Sequence, residues 1–226
     1  KYRDLGAEYQ PEGIVILLRY LTAHQLAAYP LLRDSMFRDR AAQFRDRLKW
    51  EVHVDANGFE RDEYDAMNPL YVIWELPDGT HGGSMRFLPT SGRTMVHDHF
   101  ADLLDGTEIR SPEIWECTRF CIAKGAGSHV AAALMLAGGE LMRAFSLTHL
   151  LGVFDARMVR IYNMIGAAPA VLGSMGEGRD RISVGLWQFR ARDRAIVLRR
   201  AGVTSDMSQY WFKRSFGHAI TRRCVA

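Results

Sequence analysis

The chain has 226 residues, 48% of them hydrophobic, which suits one α/β domain spanning residues 1–226. It has no run of eighteen apolar residues and no signal-peptide pattern at Lys1-Tyr2-Arg3-Asp4, so a soluble cytoplasmic protein is expected, not a membrane protein. The formal charge of +3 is uneven: residues 1–100 carry 12 Lys and Arg against 15 Asp and Glu, and residues 101–226 carry 17 against 11. The basic C-terminal part suits an acidic partner, while the absence of a recognised binding motif argues against nucleic acid. Cys117, Cys121 and Cys224 are an odd number without CxxC spacing, which argues against a disulfide framework or a zinc site.

In chain order, Ile14–Leu18 reads as a first strand, and Thr22 as the cap of a helix that Pro30 kinks or delays. Met36 to Trp50 mixes five basic residues with Met36, Phe37, Phe44, Leu48 and Trp50, too charged for core and too aromatic for a plain loop, and suits a pocket wall. Residues 55–68 read as loop, with a turn at Asn57-Gly58 and an acidic cluster at Glu60, Asp62, Glu63 and Asp65. Leu70–Leu76 and Gly82–Leu88 form a hairpin across Pro77-Asp78-Gly79, and a short helix follows around Val96–Leu104.

Ile114–Ile122 has the β-branched and aromatic residues of a buried strand, yet carries Glu116 and Arg119. Unpaired, either charge would cost several kcal/mol to bury, so each needs a partner or a polar cavity. A functional site and a structural ion pair at a sheet edge both answer that need. Cys117 and Cys121, four apart, are expected on one face of the strand and in the core.

Beyond it, Val130–Leu147 reads as a buried helix capped by Ser128, and Leu150–Phe154 as a central strand. A helix over Ala156–Ile165 ends at Gly166, with Pro169 beyond. Gly173–Gly178 reads as a turn, because its glycines lack the dinucleotide-binding order and Ser174 lacks the nucleophile-elbow context. Ile182–Phe189 is a strand, and Ala191–Arg200 a basic helix ending at Gly202. His97-Asp98-His99 lacks the partner spacing of a metal site, and no metal is expected. The alternation predicts an α/β sandwich with a mixed sheet.

Several rare features recur in one order: Arg40-(x3)-Phe44-(x5)-Trp50, Asp62-Glu63-Tyr64-Asp65, Arg86-Phe87-Leu88-Pro89-Thr90, Phe100, and Glu116-Cys117-Thr118-Arg119-Phe120. Over about residues 14–166 this order resembles the acyl-homoserine-lactone synthases, the quorum-sensing autoinducer synthases. The resemblance implies a three-layer α/β/α sandwich related to the N-acetyltransferases. It also implies transfer of an acyl group from an acyl-carrier-protein thioester to S-adenosylmethionine, then lactonisation with release of methylthioadenosine. S-adenosylmethionine is then a substrate, no cofactor is required, and neither nucleic acid nor membrane is a partner. The chain departs from the family pattern at Arg93, where a proline is usual, and at Thr118, where serine is commoner. Phe154-Asp155 stand where members preferring 3-oxo chains often carry threonine.

For these substrates Phe44 and Trp50 suit the adenosyl or sulfonium group, where a cation–π contact is worth roughly 0.5–2 kcal/mol. Asp62 and Asp65 suit the positive groups, and Arg40, Arg86 or Arg119 the carboxylate or the acidic cluster. Glu116 is the candidate base for the attacking amine, directly or through water, or else the residue that holds Arg119. Covalent catalysis by Cys117 or Cys121 is disfavoured, because nothing near in sequence supplies an activating histidine. An apolar acyl tunnel is expected from Phe100, Met135, Met142, Leu151, Val153, Phe154 and Met158, and a carrier-protein surface from Lys124, Arg157, Arg160, Arg179 and Arg181. The alternatives are an acetyl-CoA-dependent N-acetyltransferase of the same fold, whose pyrophosphate loop is broken here by Ile122, and a non-catalytic S-adenosylmethionine or acyl-carrier sensor.

Overall fold

The computed structural model describes residues 17–188 and 190–217. Strands β1 (Leu17–Thr22), β2 (Leu70–Glu75), β3 (His81–Pro89) and β4 (Ile114–Ile122) form an antiparallel meander. The β2–β3 turn closes as expected, with Asp78 Oδ1 accepting the Thr80 N–H at 3.0 Å and Gly79 at a φ of 81°. β5 (His149–Asp155) pairs in parallel with β4, and β6 (Ala170–Met175) and β7 (Ile182–Trp187) complete the order β1-β2-β3-β4-β5-β7-β6.

Side chains alternate across this mixed sheet. Val72, Met85, Phe87 and Leu150 pack under α4 (Ser128–Ala144), α5 (Ala156–Ile165), α6 (Ala191–Ala201) and α7 (Ser205–Phe216). On the opposite face Tyr71 and Ile73 meet α2 (Pro30–Ala41), which follows the single turn α1 (Ala23–Leu26). Farther along that face Leu151 and Val184 meet Val96 of α3 (Met95–His99). The result is the expected α/β/α arrangement. Among the described residues no helix is long and apolar enough to cross a membrane.

Capping chemistry placed several boundaries. Thr22 and Gln25 form a capping box at α1, Pro30 is the first residue of α2 rather than a kink, and α5 runs from its Asp155 cap to Gly166. Three expectations change. The described part of β1 runs from Leu17 to Thr22, past the expected end at Leu18, and the expected Ile14–Ile16 portion lies outside the described residues. Gly127, not Ser128, is the cap of α4, and Ser128 is already in its first turn. Only Gly176 and Gly178 of the glycine-rich piece take positive φ in a turn, whereas Gly173 lies within β6. A Cβ there would stand 1.8 Å from the Leu103 carbonyl oxygen, so close approach requires that glycine.

β4 has a bulge. Ser84 pairs with Cys121 and Arg86 with Thr118, so three steps on β4 oppose two on β3, and Arg119 sits there at a φ of 52°. The extra residue reverses the alternation, and the two cysteines are therefore not on one face. Cys117 Sγ lies 3.6 Å from Met85 Sδ under α4, while Cys121 is buried toward α2 and its Asp39 and Arg40. Burial pushes the Cys117 thiol up to about 12 and raises Cys121 further, which removes both as ready nucleophiles.

Candidate active site

The bulge gathers three arginines against three carboxylates. α2 supplies Arg40, whose Nε donates to Glu60 Oε2 at 2.6 Å and whose Nη2 donates to Asp65 Oδ2 at 2.9 Å. β3 supplies Arg86, paired with Asp62 and, at 2.8 Å, with Asp65 Oδ1, while its Nε donates to Thr118 Oγ1 at 3.0 Å. β4 supplies Arg119, whose Nη2 reaches Glu60 Oε1 at 2.9 Å and Asp62 Oδ2 at 2.8 Å. The acidic side is held rigid because Asp62 caps the turn Glu63–Met67, and its carboxylate and that of Asp65 bond reciprocally to backbone N–H groups. Threonine at 118 keeps the hydroxyl that receives Arg86, so that departure is chemically mild. Arg93 is tied to Asp98 at 2.7 Å, on the exposed side of α3.

Arg40 and Arg86 are fully buried. Desolvation alone would weaken their charge, but Asp65 and Glu60 beside Arg40, and Asp62 and Asp65 beside Arg86, outweigh it and hold both guanidinium groups above their ordinary value. Burial would likewise raise Asp65, yet Arg40 and Arg86 hold its carboxyl well below the usual carboxylate range.

Past Glu116 the parallel pair comes apart: β4 and β5 are paired only from Ile114 to Glu116. A cavity of about 550 Å³ passes through the opening. At one end it meets Phe44, Trp50, Glu60, Asp62 and Arg119, with Arg47 and Arg61 nearby on its wall. Phe44 stacks on Trp50 with centroids 5.3 Å apart, and the Arg119 guanidinium lies 5.5 Å from the Phe44 centroid. The other end is apolar, lined by Phe120, Val153, Phe154, Met158, Ile161 and Tyr162, and Phe100 also borders the cavity.

Several expected site residues lie elsewhere. Arg40, Asp65 and Arg86 stand behind the wall and bond to the groups that face the cavity, rather than lining it themselves. Leu151 packs in the core with Val96, Leu103 and Val184. Met135 and Met142 face a separate cavity of about 70 Å³ beside Leu150 and Val197, because α4 presents them to α6 and the sheet rather than to the β4–β5 opening. Glu116 is buried with both carboxylate oxygens turned to α3, accepting the Val96 N–H at 2.7 Å and the Met95 N–H at 3.0 Å. It does not touch Arg119, so the expected Glu116–Arg119 pair is replaced by Glu60 and Asp62. Desolvation pushes the Glu116 carboxyl up to about 7 against the opposing pull of those two N–H groups.

Glu60 is the site residue that sequence reasoning left in a general acidic cluster. No spacing rule links it to Arg119, 59 positions away. Of the expected basic surface, Arg157 borders the cavity and Arg160 is exposed on the same helix. Arg179 and Arg181 are exposed, and the Arg181 carbonyl accepts the Ala156 N–H at 3.0 Å at the start of α5. Lys124 is exposed on the loop from β4 to α4.

A family model described as autoinducer synthase matches residues 24–188. An acyl-homoserine-lactone synthase of Rhizobium etli is 40% identical over 182 residues, covering 77% of this chain and 85% of that protein. The crystal structure of the synthase LasI superposes with a TM-score of 0.72 at 26% identity, covering 82% of this chain and 95% of that one. At the level of fold alone, the CoA-dependent synthase BjaI with SAM and isopentyl-CoA gives a TM-score of 0.73 at 19% identity, covering 87% and 99% of the two chains. A putative N-acetyltransferase from Lactobacillus plantarum gives 0.52 at 15%, covering 77% and 99%. With the motif order, the mixed sheet and the cavity beside the bulge, these likenesses place the chain in the autoinducer synthase family, the acyl-homoserine-lactone synthases, as an acyltransferase on the N-acetyltransferase fold.

Proposed function

We propose that this enzyme joins the acyl group of an acyl-carrier-protein thioester to the amine of S-adenosylmethionine and then closes the lactone, releasing methylthioadenosine. The observation that carries this reading is the cavity itself, whose charged, aromatic end and apolar end meet at the opening between β4 and β5.

S-adenosylmethionine brings a sulfonium, an ammonium and a carboxylate. The stacked pair Phe44–Trp50 suits the adenosyl and sulfonium part, Glu60 and Asp62 suit the positive groups, and Arg119 with Arg47 and Arg61 suits the carboxylate. Arg40, Asp65 and Arg86 act as positioning residues that fix those carboxylates. In the first step the amine nitrogen bonds to the thioester carbon, the carbon–sulfur bond breaks, and the carrier thiol leaves. The amine must first lose a proton, and at an ordinary α-amino pKa of about 8 most of it is protonated near pH 7. Glu116, raised to about 7 and flanked by the cavity-lining Met95 and Thr118, suits the role of acceptor through one water. In the second step a carboxylate oxygen attacks the carbon bound to the sulfonium, that bond breaks, and neutral methylthioadenosine departs. Positioning supplies much of this step.

The exposed basic residues Arg157, Arg160, Arg179 and Arg181 beside α5 suit the acidic surface of a carrier-bound donor. The apolar end is larger than an acetyl group needs, which counts against an acetyl-CoA-dependent N-acetyltransferase. Incubation with S-adenosylmethionine and matched acyl-carrier and acyl-CoA donors, with mass analysis of the products, tests the reading. Lactone formed faster from the carrier thioester supports it, equal or faster use of CoA removes the carrier assignment, and acetylation of an amine without lactone removes the whole.

A further inference from the structure

Tyr162 stands on the α5 face turned to the sheet, at the apolar end of the cavity. Phe154, Trp187 and Phe120 pack edge-on around its ring, with centroids at 5.5, 5.1 and 6.5 Å, and only 6% of the residue is exposed. Buried tyrosine hydroxyls normally find a partner. Tyr64 and Tyr71 do, donating to Asp98 at 2.8 Å and to Asp65 at 2.6 Å. The Tyr162 hydroxyl has no such partner among the described residues, yet it is not a sealed orphan, since of the described side chains only the Tyr20 hydroxyl is both enclosed and unpaired. Tyr162 lines the cavity, which is the space described beside this residue. Burial raises its pKa far above neutrality, so it is a fixed O–H donor.

The other side chains at that depth offer nothing comparable. Val153, Phe154, Met158 and Ile161 are apolar, Asp155 Oδ1 already accepts the Arg157 and Met158 N–H groups at 3.0 and 3.1 Å, and the Arg157 guanidinium is exposed, with its Nε 3.6 Å from Asp155 Oδ2. A lone donor in an apolar tunnel is matched by a ligand that carries an acceptor at that depth and penalises one that does not. Acyl thioesters assembled by two-carbon condensation pass through 3-oxo, 3-hydroxy and fully reduced stages, so the third carbon is where such a chain carries oxygen.

We infer that Tyr162 is a specificity-determining residue whose hydroxyl donates a hydrogen bond to an oxygen on the acyl chain, favouring 3-oxo- or 3-hydroxyacyl donors over unsubstituted ones. This rests on the lactone-forming reading above, and it provides the oxygen-reading group that Phe154-Asp155 lacks.

The test compares kcat/KM for 3-oxooctanoyl, 3-hydroxyoctanoyl and octanoyl carrier thioesters in the wild type and in Tyr162→Phe, with thermal unfolding and S-adenosylmethionine binding of the variant as checks on its fold. The expected result is a wild-type preference of about tenfold or more for at least one oxygenated donor, which the variant loses mainly through KM. No wild-type preference, a preference unchanged in Tyr162→Phe, or an equal loss with all three donors overturns the inference while leaving lactone synthesis intact. Absence of lactone from every donor overturns both.

Discussion

Arg119 Nη2 lies 2.8 Å from Asp62 Oδ2, although in an unbroken strand residue 119 would point away from the face that carries Glu116 and Thr118. The bulge turns it, and with it the guanidinium that ties Glu60 and Asp62 to the cavity wall. Arg119→Ala is expected to destabilise the protein by about 3 kcal/mol, the cost of leaving buried carboxylates short of a partner, and to lower kcat/KM more than a hundredfold. Urea unfolding and steady-state assays at a temperature where the variant is folded separate the two effects. Lost stability with full residual activity would make the network structural only.

Arg40 gives a contrasting expectation, because it is fully buried and reaches the cavity only through Glu60. Arg40→Met leaves Glu60 with Arg119 alone and Asp65 with Arg86 alone, each one buried cation short, and should cost about 3 kcal/mol. Arg40→Lys keeps the charge but loses the forked contacts and should fall in between. The urea midpoint measures both, and a loss of S-adenosylmethionine affinity without a shift of that midpoint would place Arg40 in direct contact with substrate.

Trp50 is 41% exposed and held mainly by its stack on Phe44. Trp50→Ala should raise KM for S-adenosylmethionine between about twofold and thirtyfold, as the loss of a cation–π face implies, with little change in unfolding temperature. An unchanged KM would remove Trp50 from the binding site.

Glu116 makes two pH-dependent predictions. Its folded-state pKa is raised to about 7 from an ordinary 4.5, so the folded protein binds this proton more tightly than the unfolded chain. Its contribution to stability is therefore full below about pH 4.5 and is lost as pH rises through about 7. Glu116→Gln should lack that slope when unfolding free energy is measured across the window. In activity, the variant should be slower by about a hundredfold or more near pH 7, and the deficit should shrink as pH passes about 8, where the substrate amine frees itself. A deficit constant with pH would leave Glu116 only as the support of α3.

Reversing charge at Arg157 and Arg160 together should reduce kcat/KM for a carrier-bound donor at least tenfold at low salt, less at 0.5 M, and more than for a small neutral thioester. Titrating salt with both donors measures this. Equal losses would place these arginines in the cavity alone.

Much of the scaffold was legible because it is written in local chemistry. The Asp-Gly turn, the Thr22 box and the Asp155-to-Gly166 limits of α5 each depend on residues a few positions apart. The bulge was not, since Arg119 takes a positive φ with no glycine to announce it, and the inverted placement of Cys117 and Cys121 followed from that. Charge in the motifs pointed to a site, but Arg40 and Arg86 look the same in sequence whether they face a ligand or bury against Asp65. Periodicity marked Met135 and Met142 as inward-facing without saying which neighbour they meet. α7 was not read from the sequence, and its Trp211 and Phe212 join a core drawn from distant strands.

The most direct measurement counts products. With purified protein, S-adenosylmethionine and an acyl-carrier thioester, one methylthioadenosine and one free carrier thiol are expected for each N-acylhomoserine lactone, and none of the three when either substrate is withheld. Thiol release without methylthioadenosine, or no lactone with any donor, would contradict the proposed reaction.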